Sequence, residues 1–80
     1  MSWDYRIVKM TIDGENLYQI HEAYYNKNNE LCAISKDPMN PHGNTVEELG
    51  HDLNMMSQAF NQSALVKDEI VFAKPDWEEE

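Results

Sequence analysis

His21 and Glu22 are the side chains of this chain best suited to proton transfer. They are adjacent in a segment that reads as a β-strand, so they point to opposite faces of a sheet and cannot work on one proton together. On an aromatic face beside Tyr5, Glu22 would serve either as a general acid or as a carboxylate held by tyrosine hydroxyls. The second reading is preferred, because buried polar groups need hydrogen-bond partners whether or not they do chemistry.

Glu47 and His51 stand four apart on a predicted helix and would share a metal ion only if His42 or Asp52 folded in as a third ligand. Solvated helix side chains are the simpler account. Cys32 is the only cysteine and has no flanking histidine or basic residue to activate a thiol. No glycine-rich loop follows a strand in the phosphate-cradling pattern. The sequence therefore predicts no catalytic residue, no metal and no cofactor, and the chain reads as a non-enzyme.

The elements that would carry these side chains are clearer than the chemistry. Asp13-Gly14 is a strong two-residue hairpin signal. It sets Trp3 opposite Tyr24, Tyr5 opposite Glu22, Ile7 opposite Ile20 and Lys9 opposite Tyr18, all on one face. That aromatic face is the expected core. Val8, Met10, Leu17, Ala23, Arg6, His21 and Gln19 take the other, mixed face. The asparagines of 26–29 suit a tight turn, and Leu31 to Ser35 reads as a third strand. Its register is open: an even-length loop puts Leu31 and Ala33 on the aromatic face, and a three-residue loop puts Cys32 and Ile34 there. Residues 37–43 hold two prolines and a glycine and read as a loop.

Thr45-x-x-Glu48 opens a helix with an apolar stripe of Val46, Leu49, Leu53, Met56 and Phe60. Gly50 lies inside it, at a cost of about 1 kcal/mol relative to alanine. Glu69 to Ala73 is rich in strand formers and predicts a short fourth strand, ended by Pro75. The expectation is an α+β fold of order β-β-β-α-β. A three- to four-stranded antiparallel sheet packs on one amphipathic helix. Residues 1–75 form a single domain and residues 76–80 an acidic C-terminal tail.

Eighty residues make one domain with a thin core, burying only about 60 to 65% of the surface the unfolded chain exposes. The formal net charge is −9, and no Lys or Arg occurs between Lys36 and Lys67. Direct nucleic-acid binding needs a basic surface and is not expected, and anionic membranes are excluded on the same ground. Apolar runs of a few residues fall far short of the roughly 20 that span a bilayer. A lone cysteine and no charged-then-apolar leader predict a cytoplasmic location.

Gly43, Thr45, Glu47 and Glu48, with the order of elements over residues 3–73, resemble the small HicB-type antitoxin domain. That resemblance implies a truncated RNase H-like sheet. HicB proteins often append a DNA-binding module, and no such segment is legible after residue 73. A second resemblance is to small bacterial proteins with a Trp-x-Tyr-Arg start, an Ile-His-Glu-x-Tyr-Tyr strand and a Glu-Glu-Leu helix start. It is carried by Trp3, Tyr5, Arg6, Ile20, His21, Glu22, Tyr24, Tyr25, Glu47, Glu48 and Leu49. It implies a bacterial or mobile-element origin and brings no activity with it.

The expected function is that of a small acidic, non-enzymatic protein-interaction module, antitoxin-like, with a basic protein as partner. Self-pairing into a homodimer would cover a free sheet edge. Glu47, Glu48, Asp52, Met55 and Trp77 are the candidate partner surface. The alternative is a nucleic-acid mimic that inhibits a DNA- or RNA-handling enzyme, as anti-restriction and anti-CRISPR proteins do. Mimicry needs carboxylates in rows, whereas Asp4, Glu15, Glu30 and Asp37 are scattered among turns and strands.

Overall fold

A computed structural model of the chain describes residues 2–78. Strand β1 (Ser2–Ile12) turns at Asp13-Gly14 into β2 (Glu15–Tyr25), and β3 (Leu31–Ile34) follows. Asp13 and Gly14 have φ of 52° and 82°, the positive values a two-residue hairpin turn needs. Trp3 pairs with Tyr24, Tyr5 with Glu22, Ile7 with Ile20 and Lys9 with Tyr18, the register the turn predicts.

A bulge between Tyr24 and Tyr25 settles the third strand. Ala33 lies opposite Tyr24 on the aromatic face, and Ile34 lies opposite Ala23 on the other. Cys32, one residue from Ala33, shares the face of Ile34 and is buried. The turn ahead of β3 is organised by Asn26, itself buried. Its Oδ1 accepts from the backbone N–H groups of Asn28 (2.9 Å) and Glu30 (3.0 Å).

Helix α1 (Val46–Ser57) runs into a 3-10 turn, Gln58–Asn61. Thr45 Oγ1 accepts from Glu48 N at 3.0 Å, and Glu48 Oε1 accepts from Asn44 N at 3.0 Å, so the predicted helix start is built as a reciprocal cap. Gly43 packs so close to this first turn that a Cβ there would lie 2.5 Å from Leu49 N.

The fourth strand differs from expectation in place and direction. Strand β4 is Leu65–Val66, and it pairs parallel with Val8 and Lys9 of β1. The sheet, in order β3-β2-β1-β4, is therefore mixed rather than antiparallel. The helix supplies the crossover that a parallel neighbour requires. Residues 69–73 are not a strand; Glu69 ends the 3-10 turn Lys67–Glu69, and 70–73 run on to the start of β3, where Ala73 N donates to Leu31 O at 2.8 Å. Of the predicted acidic tail, Asp76–Glu78 forms a 3-10 turn, and residues 79 and 80 lie outside the described residues.

The core also sits elsewhere. The buried sheet residues Val8, His21 and Ala23 are on the mixed face, and every registered residue of the aromatic face from Trp3 to Lys9 and Tyr18 to Tyr24 is half-buried or exposed. The reason is the split cover. Phe60 and Met39 line a cleft with Ile7 and Ile20 on the aromatic face, while Lys67 and Phe72 lie over His21 and Ile34 on the other. A 12-residue helix cannot cover two 11-residue strands.

Candidate interaction surface

The helix stripe defines the surface by being turned outward. Met56 and Ala59 are buried and Asp52 is half-buried, so α1 rolls these residues towards the sheet. Val46 is left 86% exposed, Leu53 56% and Phe60 71%. Tyr18 lines the cleft beside Phe60 and is itself exposed. The stripe that reads as core in the sequence is thus largely on the outside. A single isolated apolar side chain at the surface is ordinary, but a row of them is the mark of an interaction site.

The acidic candidates are partly committed to the fold. Asp52 Oδ2 accepts from His42 N at 2.9 Å, and Glu48 caps the helix, so both tie the 42–44 loop to α1. Glu47 and Met55 are exposed. Trp77 is exposed on the C-terminal 3-10 turn, which is clasped to the β2–β3 turn by the 3.0 Å bond from Lys27 N to Asp76 Oδ1. Two places therefore hold the five residues: the helix and the tail.

Glu22 and one ring nitrogen of His21 are engaged in structural hydrogen bonds. Tyr24 donates its hydroxyl to Glu22. That bond, with burial, raises the Tyr24 pKa, and burial together with the charges of Asp52 and Glu22 raises that of Tyr5. On the opposite face His21 Nδ1 donates to Ser35 O at 3.0 Å. His21 Nε2 and Arg6 Nε are buried without a partner. His21, Cys32, Lys36, Lys67 and Phe72 line a cleft of about 480 Å³. Among the described residues no group of three or more His, Cys, Asp or Glu side chains is placed to hold a metal ion.

A polar network that sequence reasoning missed locks the chain after the helix onto the sheet. Arg6 Nη1 donates to Tyr25 Oη (3.2 Å) and Arg6 Nη2 to Ser63 O (2.8 Å). Tyr25 donates to Asp4 Oδ1 (2.8 Å), and Gln62 Nε2 donates to Asp4 Oδ2 (2.9 Å). The signal was in the register, which places Asp4 and Arg6 on the face of Tyr25. Among the described residues no helix is long and apolar enough to cross a membrane. Comparison with protein-family profiles, with curated proteins and with solved structures finds no match to this chain.

Proposed function

We propose that this protein is a small acidic interaction module without catalytic activity, antitoxin-like in the sense that it acts by covering another, basic, protein. The observation that supports this most is the outward row of Val46, Leu53 and Phe60 on a chain carrying a net charge of −9. Apolar side chains would supply affinity, and the surrounding carboxylates would supply steering and partner choice. A bacterial, cytoplasmic setting fits a single buried thiol.

Mimicry of nucleic acid is less well supported. Of the three helix carboxylates expected to act together, Glu48 and Asp52 are bonded to backbone N–H groups of the adjoining loop.

Affinity capture from a bacterial host, with identification by mass spectrometry and then reconstitution from purified components, tests the reading. The expected partner is a small basic protein, retained in high salt and lost when exposed apolar residues are changed to polar ones. Recovery of a nucleic-acid-handling enzyme whose binding vanishes on neutralising Glu47, Glu48 and Asp52 would replace it with mimicry. Turnover of a small substrate by the purified protein would end it.

A further inference from the structure

We propose that the face formed by Val46, Gly50, Leu53 and Ser57 of α1, continued by Phe60 of the following 3-10 turn, is a self-association surface, on which the helix of a second copy packs antiparallel about a two-fold axis at Leu53. This rests on the same apolar row as the interaction-module reading and names a second copy as its occupant; the mass of the purified chain alone separates the two, since a basic partner is absent from that measurement. The five residues recur at intervals of four and three, so they form one stripe, and all five are exposed.

The exposed area of the whole chain is compatible with a cover of this size. The chain exposes 5877 Å², against the roughly 5,000 Å² expected of a compact monomer of 9.4 kDa. The excess is close to the ~800 Å² that each partner buries in a standard interface. The radius of gyration, 14.1 Å, also exceeds the roughly 12 Å of a compact chain this long.

Gly50 gives the second, independent reason. A glycine in a helix interior weakens the helix, and within the protomer nothing lies within 4 Å of where its Cβ would be. The sheet does not need it, whereas a crossing helix would. In the antiparallel arrangement Val46 meets Phe60 of the other copy, Leu53 meets Leu53, and Gly50 falls opposite the exposed Ser57. The large side chains then meet at the centre and ends of the contact, and the small residues Gly50 and Ser57 fall between them, where the two helices come closest.

Charge selects the same direction. Glu47, Glu48 and Asp52 crowd the N-terminal half of the helix, and no acidic residue occurs from Leu53 to Val66. A parallel pair would set carboxylates against carboxylates. The antiparallel pair sets them against the uncharged half, and it aligns the helix dipoles favourably.

Sedimentation equilibrium and light scattering of the purified chain are expected to give twice the protomer mass at micromolar concentrations. Leu53→Glu should give a folded monomer by circular dichroism, since the side chain it replaces is half-exposed. Gly50→Gln is the sharper variant: it favours the isolated helix, so the protomer should unfold no more easily, yet the dimer dissociation constant should rise about tenfold or more. In a Cys32→Ser background, Leu53→Cys should oxidise to a covalent dimer, and Val71→Cys, exposed in the C-terminal segment, should not. A wild-type chain that stays monomeric at high micromolar concentration overturns the proposal. So does a dimer unaffected by both helix variants, or cross-linking through residue 71 in place of residue 53.

Discussion

Asn26 Nδ2 donates to the backbone oxygen of Lys74 at 3.0 Å, joining the β2–β3 turn to the C-terminal segment across 48 positions of sequence. The same amide group reaches Glu30 Oε1 at 3.1 Å, and its oxygen accepts two backbone N–H groups, so one buried side chain makes four bonds. Asn26→Ala should lower stability by about 1–3 kcal/mol, since it removes four hydrogen bonds made by one buried side chain. Urea denaturation should show the midpoint falling with little change in slope. Asn26→Asp should be nearly as damaging, because a carboxylate cannot donate to Lys74 O and repels Glu30.

Two valines test which faces are core. Val8 is fully buried beside Leu65, and Val46 is 86% exposed. Val8→Ala should cost about 1–3 kcal/mol through lost burial and the cavity left behind. Val46→Ala should stay within about 0.5 kcal/mol when measured at concentrations where the chain is monomeric. Equal effects would contradict the assignment of the core to the mixed face.

Removing the helix cap has a separable cost. Thr45→Ala takes away the oxygen that accepts from Glu48 N and should destabilise the fold by about 1 kcal/mol. Thr45→Ser should keep most of it. Thermal unfolding followed at a helical wavelength distinguishes the two.

Tyrosine ionisation sets the alkaline limit. Tyr5, Tyr24 and Tyr25 all have pKa values raised above 10.0, Tyr24 chiefly by its bond to Glu22 and the other two chiefly by burial. The folded protein then holds protons that the unfolded chain has released, so stability is intact below pH 10 and falls as pH rises through the raised values. A phenolate titration that lags the model-tyrosine curve and then climbs with unfolding is expected. Glu22→Gln should move the Tyr24 part of that titration towards lower pH.

How far the sequence could be read depended on whether a feature was local. The hairpin register follows from Asp13-Gly14 and a period of two, and every pair is as the turn predicts. The helix start is equally local, a bond between Thr45 and Glu48. The roll of the helix is not local. The periodicity identifies an apolar stripe, but Asp52 and Ala59, which do not read as anchors, turn inward with Met56 and leave Val46 and Phe60 outside. The two residues of β4 carry no strand pattern of their own, and only the parallel partner on β1 makes them a strand. Of the five candidate surface residues, Glu47, Glu48, Asp52 and Met55 share α1 and Trp77 lies on the C-terminal 3-10 turn, and which of them point outward depends on the roll of the helix, which is not local.

The pairing of Val8 with Leu65 also has a consequence in time. A hairpin closes in roughly 1–10 μs once its residues are free, so β1 and β2 can form as soon as they emerge from the ribosome. Leu65 is made 57 positions after Val8. At about 5–20 residues per second, the outer edge of β1 stays unpaired for on the order of 3 to 11 s of synthesis. For that interval the nascent chain presents an open strand to chaperones and to neighbouring nascent chains, and the two late residues then cover it at Val8 and Lys9.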